Sequence, residues 1–210
     1  MRALIVVDIQ NDFLPGGALA VPGGDEVVPI VDRLLPCFEH VVATQDWHPP
    51  DHGSFAIEHP GRKVGETILL DGLEQILWPP HCVQGTRGAD FAPGLDTSHF
   101  DAIFRTGVDP RVDSYSTFFD NARRRSTGLA EHLRARGIGE VWICGLATDY
   151  CVLYSVRDAR LLDLETRVIR DACRAIDRVP GDGARAFAEM ERLGARLVTS
   201  DEVLGAGAHP

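Results

Sequence analysis

Apolar residues along this chain fall into short runs separated by polar segments rich in glycine and proline. Leu4–Val7 and Val141–Cys144 are continuous apolar runs without alternation, which are typical of strands buried on both faces of a parallel sheet. Four more strands are predicted at residues 41–44, 100–104, 167–169 and 196–199. Apolar residues at helical spacing predict helices at residues 26–38, 129–136, 152–164 and 182–193. Alternating strands and helices indicate an open α/β fold with a six-stranded, mostly parallel sheet and right-handed crossovers.

Residues 46–100 break this alternation, because they are rich in proline, glycine and histidine and show little periodicity. A loop region of this length inside a compact domain is usually functional or disordered. Its proline-rich turns and scattered aromatic residues favour an ordered, functional region. We find no repeat and no linker, so residues 1–210 are interpreted as a single domain with a long binding region.

The composition is that of an ordinary globular protein, with 44% hydrophobic and 25% charged residues. A net charge of −10 argues against a nucleic acid or an anionic membrane surface as partner. Neither a signal segment nor a transmembrane span is expected, because the first apolar run ends at Asp8. The five cysteines are scattered and odd in number, which indicates reduced thiols and a cytoplasmic location. The sequence leaves open whether the chain forms a homo-oligomer.

Chemically useful side chains follow four of the predicted strands. Asp8 follows the first strand, Asp46 and His48 the second, Thr106 the third, and Cys151 comes soon after the fourth. Ligands of open α/β sheets bind beyond the carboxyl ends of the strands. We therefore expect these residues to meet at one edge of the sheet and to form a site.

Cys151 closes the stretch G-L-A-T-D-Y-C at residues 145–151. Thr148 and Asp149 are favourable N-cap residues, which would place Cys151 in the first turn of a helix. The positive potential at a helix N-terminus favours a thiolate, the nucleophilic form of cysteine. The alternative is a small buried side chain that packs the corner between strand and helix.

A second group of polar residues suggests a metal site. Residues two apart in extended chain point to the same side, so Asp46 and His48 can converge on one ion. His52 follows after a proline turn, and His81 is a candidate fourth ligand. A carboxylate with imidazoles suits Zn, Fe or Mn rather than Ca or Mg. The alternative is a hydrogen-bonded turn. The remaining histidines are expected at the surface: His40, His59, His99, His132 and His209.

Five motifs occur in a fixed order along the chain. They are D-x-Q-x-D-F at 8–13, T-Q-D-W-H-P at 44–49, W-P-P-H-C-V-Q-G-T at 78–86, D-S-Y-S at 113–116 and G-L-A-T-D-Y-C at 145–151. Together they resemble the nicotinamidase/pyrazinamidase family of isochorismatase-like cysteine hydrolases. The resemblance covers nearly the whole chain, and its metal motif separates this branch from isochorismatases and carbamoyl-amide hydrolases of the same fold.

The resemblance implies a Rossmann-like three-layer fold in which the first and fourth strands are neighbours. It implies hydrolysis of nicotinamide to nicotinate and ammonia, a step of NAD salvage, with pyrazinamide as a further substrate. Cys151 would be the nucleophile and Asp8 its base, and the amides of Ala147 and Cys151 would form an oxyanion hole beside a cis peptide bond before Ala147. One divalent metal ion per chain would bind the pyridine nitrogen of the substrate through Asp46, His48, His52 and His81. The residues that would line the pocket are Phe13, Trp78, Tyr115, Leu146 and Tyr150.

One position departs from the family pattern. The family has a catalytic lysine directly before a glycine, and Thr106 occupies that place here, before Gly107. Unless Arg105 turns inward, the cation that would assist Asp8 and Cys151 is missing, and we expect impaired activity. Alternatives are a weakly active relative that binds nicotinamide, an amidase of the same fold for another small amide, and an α/β structural subunit.

Overall fold

The computed structural model describes residues 1–206 and contains two sheets. The strands, in chain order, are β1 (Arg2–Val7), β2 (His40–Asp46), β3 (Thr67–Leu70), β4 (Leu73–Ile76), β5 (Ala102–Thr106), β6 (Glu140–Leu146), β7 (Glu165–Arg174) and β8 (Arg196–Val198). Six of them form one parallel sheet in the order β5-β2-β1-β6-β7-β8. The predicted sheet is confirmed, and β1 and β6, the first and fourth of its strands along the chain, are neighbours.

Helices flank this sheet and complete a Rossmann-like three-layer fold. They are α1 (Val27–Leu34), α2 (Leu129–Ala135), α3 (Leu153–Leu161), α4 (Asp182–Arg192) and α5 (Ser200–Ala206). Helices α1 and α5 pack against each other and against β7, while α3 and α4 pack together next to β7 and β8. No helix within residues 1–206 is long and apolar enough to cross a membrane.

The core lies around the central strand β1. Its side chains Ala3–Val7 are fully buried, as the continuous apolar run predicts. Burial of each large aliphatic side chain of this kind contributes about 1.5–3 kcal/mol. Gly145 lets β6 approach β1 closely, because a Cβ atom there would lie 2.1 Å from the carbonyl oxygen of Val7. This close approach brings the carboxyl ends of β1 and β6 together.

The hairpin β3–β4, inside the long binding region, was not predicted. Its strands pair antiparallel, and both turn residues, Asp71 and Gly72, have positive φ angles of 49° and 86°. A two-residue Asp-Gly turn with this conformation is the usual connection of a tight hairpin. The sequence therefore contained the signal, but the short flanking runs lack a buried face, since Leu69 is exposed.

Helix α5 was also missed, although its start carries a sequence signature. Thr199 and Glu202 bond reciprocally: the Thr199 amide donates to Glu202 Oε2 at 2.6 Å, and the Glu202 amide donates to Thr199 Oγ1 at 3.4 Å. Such a capping box satisfies amide groups that the first helical turn leaves without partners. The predicted strand at 196–199 therefore ends one residue earlier, at Val198.

Other differences concern boundaries. Strand β7 is longer than predicted and runs to Arg174. The helix predicted to reach residue 38 ends at Leu34 and continues as a tight turn over Leu35–Cys37, because Pro36 lacks an amide hydrogen for the helix. Of the five histidines expected at the surface, His99 is exposed, and His209 lies outside the described residues. The other three are only partly exposed: His40, His59 and His132.

Candidate active site and metal centre

The carboxyl edge of the sheet brings the predicted catalytic residues together. Asp8 follows β1, and Cys151 comes five residues after the end of β6. Asp46 is the last residue of β2, Thr106 is the last residue of β5, and the two are register partners. All four side chains are buried. The cluster forms because parallel strands present their carboxyl ends at one edge.

The Asp8 carboxyl group is hydrogen-bonded to one hydroxyl group and one thiol group. Thr44 Oγ1 donates to Asp8 Oδ1 at 2.5 Å, and the Cys151 thiol is hydrogen-bonded to the same carboxyl group. Burial and the nearby charge of Asp46 raise the pKa of Asp8 to about 7, although these hydrogen bonds and His48 oppose the rise. A carboxylate with this pKa can accept a proton near neutral pH. Thr44 lies in a motif that the sequence singled out, but its role was not predicted.

Cys151 lies in a wide helical turn, Thr148–Val152, which leads directly into α3. Burial, followed by the charges of Asp8 and Asp46, raises the pKa of its thiol well above the usual value. The expectation of a thiolate favoured by the helix start was therefore wrong: the resting cysteine is a neutral thiol. Asp8 is the carboxyl group hydrogen-bonded to this thiol.

The predicted caps of this helix have other roles. Asp149 does not cap the turn or α3; its carboxylate accepts the amides of Ile176 at 3.0 Å and Asp177 at 2.8 Å. Thr148 is buried, and its hydroxyl has no hydrogen-bond partner within the described residues. Asp149 thus fixes the loop that follows β7.

A group of three side chains next to Asp8 could hold a metal ion. Asp46 Oδ2 lies 2.9 Å from His48 Nε2 and 3.2 Å from His81 Nε2. Ligand atoms of these three residues all lie within 4.8 Å of one another, and the residues are buried. Asp46 Oδ1 has no hydrogen-bond partner among the described residues. The carboxylate and two imidazoles fit a divalent transition metal ion.

Hydrogen bonds at the far side of the two rings support this assignment. His48 Nδ1 donates to the carbonyl oxygen of Gly107 at 3.0 Å, and His81 Nδ1 donates to that of Pro79 at 2.8 Å. A carbonyl oxygen only accepts, so the hydrogen of each neutral ring is on Nδ1 and the lone pair is on Nε2. Burial opposes protonation of His48, but the charge and hydrogen bond of Asp46 raise the pKa of this ring to about 9, so without an ion its Nε2 carries a proton toward Asp46. A bound ion would replace this proton and use the lone pairs of both Nε2 atoms.

His52, the fourth predicted ligand, lies beside this group but bonds differently. Its Nδ1 accepts the amide of Ser54 at 3.1 Å, which places the hydrogen of the neutral ring on Nε2, but Nδ1 also lies 2.7 Å from Ser54 Oγ, which can accept a hydrogen from the other tautomer. Burial and the charge of His48 lower the pKa of His52 to about 4, which keeps the ring neutral. Its ligand atom groups with those of His48 and Asp113, not with those of Asp46 and His81. Ligation by His52 would require the other tautomer.

Gly107 and Gln10 support the metal group, and the sequence did not indicate either role. A Cβ atom on Gly107 would lie 2.4 Å from the His48 ring, so only glycine allows its carbonyl to approach His48. Gln10 donates from Nε2 to the carbonyl oxygen of Asp46 at 2.9 Å, and its Oε1 accepts the Asp46 amide at 2.8 Å. These contacts fix the end of β2.

The predicted pocket residues fall into an aromatic cluster and two separate positions. Phe13 packs against His81, with ring centroids 5.6 Å apart. Trp78 lies edge-on to Tyr150 with centroids 5.0 Å apart, and its Nε1 donates to the Tyr115 hydroxyl at 3.0 Å. Three of the residues that the resemblance implies form one cluster, which we call the aromatic wall: Trp78, Tyr115 and Tyr150. Phe13 lies next to the metal group, and Leu146 is buried at the end of β6.

Comparison with known proteins places this arrangement in a family. The isochorismatase domain family matches residues 2–202. The chain is 49% identical over 202 residues to the nicotinamidase of Escherichia coli (strain K12), with 94% of each chain covered. The chain belongs to the nicotinamidase/pyrazinamidase family of isochorismatase-like hydrolases. It is therefore an amide hydrolase.

Solved structures agree with this family membership. The nicotinamidase/pyrazinamidase of Acinetobacter baumanii superposes with a TM-score of 0.93 at 44% identity, covering 96% of this chain and 97% of the other. The enzyme PnC1 of L. infantum in complex with nicotinate has a TM-score of 0.83 at 37% identity, with 96% and 93% covered. The Pyrococcus horikoshii pyrazinamidase in complex with zinc has a TM-score of 0.77 at 38% identity, with 94% and 98% covered.

Two further features bear on the family pattern. The peptide bond between Leu146 and Ala147 is cis, as the family resemblance implies. Thr106, at the place of the family lysine, donates from its hydroxyl to the carbonyl oxygen of Gln45 at 3.3 Å. Arg105 does not replace the lysine, because its exposed guanidinium lies 3.9 Å from the ring centroid of Trp47. Neither Thr106 nor Arg105 directs a cation at Asp8 or Cys151.

Proposed function

We propose that this family member hydrolyses nicotinamide to nicotinate and ammonia as a step of NAD salvage, and that it also accepts pyrazinamide. One observation carries the proposal: the hydrogen-bonded pair of Cys151 and Asp8 lies next to the group of Asp46, His48 and His81. A nucleophile with its base can cleave an amide, and the neighbouring group can orient a ring that carries a nitrogen atom.

The chemistry starts from a neutral thiol. Asp8 takes the proton of Cys151 Sγ as the sulfur attacks the amide carbon, and the oxygen of the amide becomes an oxyanion. The backbone amides of Ala147 and Cys151 are the proposed oxyanion donors. The C–N bond then breaks, and Asp8 returns its proton so that ammonia leaves. Water hydrolyses the thioester to nicotinate and restores the thiol, with Asp8 again moving the proton.

Asp46, His48 and His81 would hold the divalent metal ion, whose identity among Zn, Fe and Mn stays a proposal. When bound, the ion would supply a Lewis-acid anchor for the ring nitrogen of the substrate. The Nδ1 bonds to Gly107 and Pro79 support this role, because they aim both Nε2 lone pairs at the same point. His52 remains the proposed fourth ligand, on the condition that its tautomer changes. The aromatic wall and Phe13 would enclose a flat ring between them.

Thr106 is the basis for proposing impaired turnover. A neutral hydroxyl cannot stabilise the negative charge that Asp8 and Cys151 share, so transition-state stabilisation is reduced while the binding residues are intact. This same observation favours the second candidate function, a catalytically weak protein that binds nicotinamide. We also propose a cytoplasmic location, supported by the absence of disulfides among the five cysteines.

The test is ammonia release by the metal-loaded protein from nicotinamide, pyrazinamide and benzamide. We expect slow release from the first two and much less from benzamide, which has no ring nitrogen for the metal group. Cys151→Ala is the matched control and should release none. Binding of nicotinamide without release would favour the weak binder, and equal hydrolysis of all three amides would contradict the metal-anchored pocket.

A further inference from the structure

A flap lies against the metal group, where Phe55 packs on the rings of His48 and His81. We use this name for residues 54–78, which begin two positions after His52, carry the hairpin β3–β4 and end at Trp78. The outer part of the flap packs little, since Leu69 is 74% exposed and Val64 is 56% exposed. Its other end is tied into the site, where Trp78 and Gln75 donate to the Tyr115 hydroxyl and Gln75 also donates to Asp113. Residues 64–66 lie beyond these ties, and contacts from another element can hold them in place.

Arg178 provides such contacts from the loop between β7 and α4. Its Nη2 donates to the carbonyl oxygen of Gly65, in the flap, at 2.8 Å. Its guanidinium carbon lies 5.6 Å from the centroid of the Trp78 ring, within the range of a cation–π interaction. It also lies close to the Tyr150 hydroxyl and lowers its pKa, although burial, the larger effect, raises it. The Arg178 side chain thus contacts the flap at Gly65 and Trp78 and the aromatic wall at Trp78 and Tyr150.

The loop that carries Arg178 is held in place. Asp149, next to Tyr150 in the chain, accepts the amides of Ile176 and Asp177, as described above. Asp177 in turn accepts the amide of Gly183 at the start of α4, at 2.7 Å. Because its backbone is fixed to the segment that contains Cys151, Arg178 is a fixed point against which the flap can close.

We propose that Arg178 latches the flap against Tyr150 and holds Trp78 in the wall of the substrate pocket. Arg178 is a positioning residue: it acts through Trp78 and Tyr150 and does not touch the reacting atoms. Its loss should weaken substrate binding and loosen the flap, while the reaction of Cys151 with Asp8 continues unchanged. The substrate part of this proposal rests on the proposed function.

The kinetic test compares Arg178→Ala with Arg124→Ala. Arg124 is the matched control because it also pairs with the flap, at Asp71 in the hairpin turn, but contacts neither aromatic ring. Loss of one hydrogen bond and one cation–π contact should raise KM for nicotinamide about fivefold in Arg178→Ala, with kcat changed less than about twofold. Arg178→Lys keeps the charge and should have an intermediate KM. Arg124→Ala should leave KM within about twofold of the wild type.

Hydrogen exchange provides a readout that does not depend on activity. The Gly65 amide donates to the carbonyl oxygen of Leu77 at 2.7 Å, and the Leu77 amide donates to that of Glu66 at 2.8 Å. Both amides should exchange about tenfold faster in Arg178→Ala and not in Arg124→Ala, because local opening exposes them. Unchanged exchange of the β1 amides would verify an intact core.

The outcomes separate the two proposals. If exchange and KM in Arg178→Ala match the wild type, the latch is refuted. If the β1 amides of Arg178→Ala exchange faster as well, that variant is destabilised globally, and Arg178→Lys is measured instead. Faster exchange of the flap amides in Arg178→Lys with protected β1 amides supports the latch. Protection of both sets of amides in Arg178→Lys refutes it. If the wild type releases no ammonia from nicotinamide, the proposed function fails, while the exchange comparison still tests the latch.

Discussion

Restoring a lysine at position 106 tests how this site works without one. Thr106 ends β5 opposite Asp46, and register partners in neighbouring strands point to the same face. Thr44, two residues before Asp46, points to that face as well and contacts Asp8. A lysine side chain in Thr106→Lys would therefore extend over the face that carries Asp8.

The magnitude follows from the charges at this edge. Burial and Asp46 raise the pKa of Asp8 from 3.8 to about 7, so the carboxylate is poorly compensated. An ammonium about 5 Å away attracts a carboxylate by about 3 kcal/mol at an effective dielectric constant near 20. Desolvation of the lysine offsets part of this, leaving about 1.4 kcal/mol, or one pKa unit. We expect kcat to rise about tenfold with little change in KM, because the ammonium stabilises charge that the transition state shares.

The assay is steady-state ammonia release from nicotinamide across a pH series. Thr106→Met is the matched control, since it adds length without charge, and Arg105→Ala tests the outward arginine. In Thr106→Lys the acidic limb of kcat/KM should move about one unit lower, because the ammonium lowers the pKa of Asp8. Equal rates and equal limbs in Thr106→Lys and Thr106→Met would refute the reasoning. A fast wild type that slows in Arg105→Ala would mean that the arginine supplies the charge.

Three further predictions concern the nucleophile, the metal group and the base. Cys151→Ala should abolish amide hydrolysis, whereas Cys37→Ala and Cys173→Ala should retain most of it; loss of activity upon iodoacetamide labelling of another cysteine, shown by peptide mapping, would contradict this assignment. Elemental analysis should find about one divalent ion per chain. His48→Ala should lose it to a greater extent than His52→Ala, because Nε2 of His48 points at Asp46 whereas the ligand atom of His52 does not group with that of Asp46; unchanged content in His48→Ala would rule out the group. In the metal-depleted protein the pKa of Asp8 is about 7 and its unprotonated form is the active base, so residual kcat/KM should fall as pH drops through 7. A bound metal ion should move this acidic limb of the pH profile to lower pH, because it compensates the charge of Asp46. An acidic limb at the same pH with and without metal would contradict this coupling.

The sheet could be predicted from sequence because its central strands β1, β2 and β6 are buried on both faces. Continuous runs such as Leu4–Val7 leave no doubt about burial, and their carboxyl ends locate Asp8 and Cys151. The hairpin β3–β4 was not predicted because its strands are short and the residue they bury most deeply is polar, Gln75, so only the Asp71–Gly72 turn marked it.

The electrostatic state of the site could not be predicted from local sequence. Asp149 has the right residue type for a helix cap, but its partners lie at residues 176 and 177. The pKa of the Cys151 thiol is raised first by burial and then by the charges of Asp8 and Asp46, which come from other strands. The tautomer of His52 depends on its contact with Ser54, two positions away. The sequence pattern alone does not distinguish this contact from an arrangement in which His52 binds a metal ion. Each of these depends on which groups folding brings into contact.

Both ends of the flap lie at the metal group: the flap starts after His48 and His52 and ends before His81. An ion bound there would act as a crosslink, closing the loop between residues 48 and 81 much as a disulfide closes one. The open conformations of this segment would then be fewer in the metal-loaded protein than in the stripped protein. The metal-loaded protein would therefore be cleaved by proteases in the flap more slowly than the stripped protein, in addition to any effect of the metal on catalysis.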